Sequence, residues 1–312
     1  MNRQIKQIAL PLIAAAIWGS AFLVQGNLGD YLPPFFINAA RGIVAFIALF
    51  VLDRIMWLLR KNKTAQSASS VEKIDVKKLL IGGLICGVFL FGAINVQQIG
   101  INGTTSGEAA FITTLYMLLV PIFGVFLKKK IGLNIWVSVI LGVVGLALIC
   151  ELQSFSINVY YIYLLISAVF FALQIMAVDY FVQFVDGVKL SCVQFLVASV
   201  LSGVISLIFE EVDGASLAKG ILPILYLGIF SSAGGYTLQI ISQKGTNAAV
   251  VTLLLSMESV FALIFGILAC LASGRPIEET PLQLIGCGIM FAAVIVSQFD
   301  FNFAKSGKNS AQ

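Results

Sequence analysis

The run Asn247–Cys270, NAAVVTLLLSMESVFALIFGILAC, is about as long as a helix needs to be to cross a bilayer, and it carries one acid, Glu258, near its middle. At a rise of about 1.5 Å per residue the carboxyl lies on the order of 16 Å from the start of the helix, close to the midplane of a hydrocarbon core roughly 30 Å thick. A carboxylate at that depth has to be protonated, paired or turned towards a polar interior. Three chemistries follow: uptake and release of a coupled proton, binding of a cationic group, or hydrogen bonding to Ser256, Ser259 or another helix as a packing acid. The aromatic residues Tyr116, Phe261 and Tyr236 would add cation–π contact to the second.

Other polar side chains sit in apolar runs at helical spacing. Phe91, Asn95, Gln98 and Asn102 fall at steps of four, three and four, on one face of a helix. Ser232, Tyr236, Gln239 and Gln243 repeat that spacing later in the chain. Lipid offers such groups no partner, so the stripes line either a watered cavity or an interhelical hydrogen-bond seam. Trp18, Gln174, Thr113, Thr114 and Tyr116 complete the candidates. The substrate-binding set is Glu258, Asn95, Gln98, Tyr116, Tyr236, Gln239, Gln174 and Trp18; no catalytic residue, metal ligand or cofactor is expected. Arg41 lies about six residues from the end of its run, within snorkelling distance of the interface, and reads as an anchor or as a partner for an acid. Gly142, Gly145, Gly286 and Gly288 read as close-packing positions.

The elements that must position these groups are spanning helices. Hydrophobic residues make up 59% of the chain and charged residues 11%, and the mean hydropathy of +1.01 lies far outside the range of soluble domains. Ten spans are expected, at about Ile8–Gln25, Phe35–Trp57, Leu79–Ile99, Ala109–Leu127, Leu133–Cys150, Val159–Phe181, Leu190–Phe209, Ile221–Ile241, Asn247–Cys270 and Leu282–Phe299. The first follows Arg3 and Lys6 like a signal peptide, but it continues past Gly19-Ser20-Ala21 and reads as a retained helix. Counting alternate loops puts sixteen of the nineteen Lys and Arg on the side of the N-terminus, with Lys219 and Arg275 opposite and Arg41 inside a span. The positive-inside rule then places both termini in the cytoplasm. There is no histidine, the five cysteines stand singly, and the net charge of +4 forms no basic patch interleaved with aromatic residues. Histidine-based catalysis, a histidine zinc site and nucleic-acid binding are thereby excluded.

The chain repeats itself. Lys78–Gly100 aligns with Lys219–Ile241 at constant offset, matching Gly87 to Gly228, Phe89 to Phe230 and Gln98 to Gln239. Ala109, Ala110, Thr113 and Leu115 match Ala248, Ala249, Thr252 and Leu254, and matching Ala45 to Ala198 sets Arg41 against Gln194. Residues 1–152 and 153–303 are expected to form two five-helix repeats, followed by a cytoplasmic tail, 304–312. Five is odd, so the copies enter the membrane from opposite sides and the site between them lies near the midplane. Glu258 falls opposite Leu119 and breaks the pseudo-symmetry.

Four segments resemble the EamA-type members of the drug/metabolite transporter superfamily: Ile17-Trp18-Gly19-Ser20, Pro34 with Arg41, Tyr116-Met117-Leu118-Leu119-Val120-Pro121, and Leu255-Ser256-Met257-Glu258-Ser259-Val260-Phe261-Ala262. The resemblance covers nearly the whole chain. It implies a secondary carrier, commonly an exporter of amino acids or other metabolites, with a central cavity and peripheral fifth and tenth helices. The chain departs from that pattern at Val260, where many members carry proline, and at Lys128-Lys129-Lys130-Ile131-Gly132, where Gly-Glu is usual.

The expected protein is an all-α multi-pass carrier in a bacterial plasma membrane, exporting an amino acid or related metabolite by alternating access. Its partners are that substrate, the lipid bilayer and, in one role of Glu258, a coupled proton. The competing readings are a carrier of organic cations or drugs and a sensor or scaffold without transport. An intramembrane enzyme is disfavoured, because the chain has no carboxylates paired at one depth, no GxSxG-type motif and no metal-ligand cluster.

Overall fold

Apolar runs of this length satisfy their backbone polar groups internally only as helices, and the computed structural model, which describes residues 3–64, 75–104, 106–149, 158–274 and 280–298, consists of helices joined by turns and short connections. In chain order these are α1 (Arg3–Gly29), α2 (Pro34–Thr64), α3 (Val76–Ile101), α4 (Ser106–Thr114), α5 (Tyr116–Phe126), α6 (Leu133–Ile149), α7 (Val159–Phe181), α8 (Gly187–Phe209), α9 (Gly214–Tyr226), a π-helical segment (Leu227–Tyr236), α10 (Thr237–Gln243), α11 (Ala248–Leu255), α12 (Glu258–Ser273) and α13 (Pro281–Ser297). Among the described residues eight continuous runs are long and apolar enough to cross a membrane, and α6 and α13 are shorter apolar helices of 17 residues each. The expected spans all coincide with helices. Cys150 and Phe299, the ends of two of them, lie outside the described residues, as do the loop carrying Ser67 and the tail.

The outer surface is apolar, and the core combines apolar side chains with buried amides and hydroxyls. Leu207 is 89% exposed and Phe126 79%, while Asn38, Gln98, Gln174, Gln194, Gln239 and Gln243 are buried. Apolar side chains face outward because lipid is their solvent; the amides face inward because only protein or cavity water can bond them.

Packing is exchanged between the two parts of the chain. α3 lies against α7 and α8, and the π segment with its flanking helices lies against α1 and α2; α2 meets α8, and α6 meets α13. The crossings use matched glycines. A Cβ at Gly87 would fall 2.6 Å from the Val197 Cβ and 2.9 Å from the Gln194 carbonyl, and one at Gly228 would fall 2.6 Å from the Val44 Cβ and 3.0 Å from the Arg41 carbonyl. Only glycine admits backbones at such distances.

Three spans are irregular, which the apolar pattern did not foretell. The fourth breaks at Leu115, where the backbone tightens into bonds from Leu115 N to the Ile112 carbonyl and from Leu118 N to the Leu115 carbonyl. The ninth breaks at Ser256–Met257 in the same way, beside a Ser256 hydroxyl that donates to the Leu253 carbonyl at 2.7 Å, a back-bond that bends helices. The eighth widens into the ten-residue π segment.

Candidate substrate cavity

Glu258 is the first residue of α12, immediately after the break in the ninth span, and is 3% exposed. Gly19 brings α1 against it: a Cβ there would lie 2.7 Å from the Glu258 carbonyl. The carboxyl is held from across the interface with the fourth span. Thr114 Oγ1 donates to Oε1 at 2.8 Å and the Tyr116 hydroxyl donates to the same oxygen at 3.2 Å, from either side of the break at Leu115. Of the partners expected, another helix supplies the bonds, while the neighbouring serines are turned elsewhere: Ser256 to its own helix, and Ser259 to Thr114 at 3.5 Å. Oε2 receives no hydrogen bond among the described residues.

Arg41 departs from expectation in the same direction. It does not snorkel to an interface; it is 3% exposed and points into the protein. Nε donates to Ser232 Oγ at 2.9 Å, Nη2 to Ser231 Oγ at 3.0 Å and Nη1 to Gln25 Oε1 at 2.5 Å. Both serines belong to the π segment, which the Trp18 indole also holds through its N–H to the Ser231 carbonyl at 3.1 Å. Gly235 makes room for that ring, since a Cβ there would come within 2.5 Å of Trp18 Nε1. Trp18 packs obliquely on Tyr236 at 4.8 Å between centroids, and Tyr236 lines the same cavity as Arg41 and Glu258.

Between these groups lies a cavity of about 450 Å³ of atom-free space, counting its open mouth. Of the residues expected at the site, it is lined by Trp18, Tyr116, Gln174, Tyr236, Gln239 and Glu258. Asn95 and Gln98 are not among its lining residues. Asn95 donates to Ser202 Oγ at 2.7 Å and accepts from Asn38, and Gln98 donates to Asn102 and to the Gln25 carbonyl. Their stripe serves the seam joining α3 to α1, α2 and α8. Arg41, Gln25, Gln97, Phe171, Ile175 and Ser231 line the cavity without having been expected there. The walls come from α1, α2, α3, α4, α5, α7, the π segment, α10 and α12; α6 and α13 contribute none.

The cavity brings an acid, a guanidinium and several amides together among helices from both parts of the chain. Among the described residues no group of acids and cysteines could hold a metal ion. The profile of the EamA-like transporter family matches residues 5–150 and 158–299, nearly the whole chain in two successive units. The chain belongs to that family. It is 28% identical over 298 residues to an uncharacterized transporter of Archaeoglobus fulgidus, spanning 95% of this chain and 86% of that relative. A solved crystal structure superposes with a TM-score of 0.68 at 16% identity, over 94% of this chain and 96% of the other; at that identity the likeness is one of fold. The protein is a multi-pass member of a transporter family.

Proposed function

We propose that this EamA-like protein is a secondary carrier of a small metabolite, an amino acid or related compound, moved outward by alternating access through the cavity around Glu258. The observation that carries the reading is the cavity itself: it is closed in by the broken fourth and ninth spans and the π-helical eighth, and its polar groups have no use in packing against lipid. Discontinuous helices at the midplane are where carriers place substrate. The architecture proposed is ten spans in two inverted repeats, 1–152 and 153–303, with a tail over 304–312 and both termini cytoplasmic. The paired glycine crossings and the exchanged helix contacts support the repeat, and the charge asymmetry supports the orientation.

Trp18, Tyr116, Gln174, Tyr236, Gln239 and Glu258 are the proposed substrate contacts, with Asn95 and Gln98 bracing α3 behind them. Purified protein in liposomes should exchange a radiolabelled amino acid across the membrane faster than protein-free liposomes. If none of the twenty amino acids exchanges while a quaternary ammonium does, the substrate class is an organic cation. If neither class moves although both bind, the sensor reading replaces the carrier.

A further inference from the structure

Among the described residues, Arg41 is a buried cation without a counter-charge. Its three hydrogen-bonded partners, Gln25, Ser231 and Ser232, are all neutral, and none of the ion pairs among the described residues involves it. The one acid in the same cavity, Glu258, is bonded to Thr114 and Tyr116 instead. A charge taken out of water and left unpaired is strongly destabilising, so something has to offset it.

Packing does not require this cation. At the matching crossing Gln194 occupies the place that Arg41 occupies here, its carbonyl 2.9 Å from the Cβ position of Gly87 where that of Arg41 is 3.0 Å from the Cβ position of Gly228. The same backbone geometry is built there with a neutral amide. Nor are the donors of Arg41 exhausted. A guanidinium carries five N–H groups in a planar fork, and three are bonded within the described residues. One N–H on each η nitrogen remains, on a side chain that lines the cavity.

We propose that Arg41 is the anion subsite of this cavity: the substrate carries a carboxylate or phosphate group that docks on the free edge of the guanidinium, while its other end faces Glu258. The planar fork fits either anion with two parallel hydrogen bonds. The π segment presets the fork, because Ser231 and Ser232 bind it from successive positions. Glu258 and Arg41 then give the bound molecule a fixed polarity, one charge contributed by each half of the chain. This assignment rests on the cavity being the substrate site, and it separates the amino acid reading from the organic cation reading.

The test uses matched probes with purified full-length protein. Thermal stabilisation is measured with L-phenylalanine, phenethylamine (no carboxylate) and 3-phenylpropionate (no amine), and with the corresponding serine, ethanolamine and phosphoserine set. Wild-type protein should be stabilised by at least one anion-bearing member of a set and not by the amine that lacks the anion. Arg41→Gln, the residue found at the matching crossing, should weaken that binding by about ten- to a hundredfold, and Arg41→Lys should restore only part of it. Binding of amines alone, absence of binding by every anion-bearing probe, or unchanged affinity in Arg41→Gln would each overturn the subsite. The wild-type comparison stands even where a variant folds poorly. Binding without exchange in liposomes would remove the carrier function and leave the subsite intact.

Discussion

The hydroxyl of Thr114 donates to the Glu258 carboxyl at 2.8 Å, tying the broken fourth span to the first residue after the break in the ninth. Both irregular helices meet at one acid, so a change at that acid is transmitted to two helices at once. Thr114→Val and Tyr116→Phe each remove one donor from Oε1 and should each lower stability by about 1–3 kcal/mol. Because both bonds go to the same oxygen, each single variant still leaves Oε1 one donor and only the double leaves it none, so the double variant should be more destabilised than the sum of the singles. Thermal unfolding of the four proteins in one detergent checks this; strict additivity would mean that the two hydroxyls act independently of the acid.

The contact between α6 and α13 is the clearest place to separate fold from site. A Cβ at Gly145 would come within 2.8 Å of the Gly286 carbonyl, and one at Gly286 within 2.6 Å of the Gly145 carbonyl, while neither helix lines the cavity. Gly145→Val should therefore cost about 1–3 kcal/mol through overpacking and leave substrate affinity per folded molecule unchanged. An affinity loss in protein that is still monodisperse would show that the peripheral pair shapes the cavity.

The helices were almost wholly legible in the sequence, because composition and length decide a membrane span without reference to its neighbours. Orientation of side chains within the bundle was not. The stripe of Asn95 and Gln98 identifies a face of α3, but spacing does not reveal that Asn38 and Ser202 stand opposite it and consume its hydrogen bonds. Arg41 shows the reverse: its distance from the end of α2 suggested escape to an interface, and only the approach of α1 and the π segment turns it inward. The breaks at Leu115 and Met257 occur without glycine or proline at those positions. Their signal was weak, confined to Thr and Ser residues able to bond back to their own helix.

Orientation in the membrane is open to direct measurement. In a background lacking the native cysteines, cysteine at Ser67 should react with a membrane-impermeant maleimide only after cells are opened, and cysteine at Lys219 should react in intact cells. The expectation follows from the segregation of Lys and Arg. Labelling of both from outside would end the arrangement with cytoplasmic termini.

Glu258→Gln distinguishes the roles left to the acid. The amide keeps an oxygen that can accept from Thr114 and Tyr116, so folding should be preserved and any functional change is attributable to charge. If the carboxyl carries the coupled proton, the variant mimics its protonated state: substrate exchange should persist, while accumulation driven by a proton gradient should vanish. If it binds the cationic end of the substrate, exchange and net flux should fall together, by about tenfold or more for loss of a charged hydrogen bond, and the loss should be confined to substrates with an amine. Should the acid serve packing alone, both activities and their pH profiles should match the wild type, and recognition would pass to Arg41 and the amides Gln174 and Gln239. Counterflow and gradient-driven uptake in the same liposome preparation, each normalised to folded protein, decide among the three.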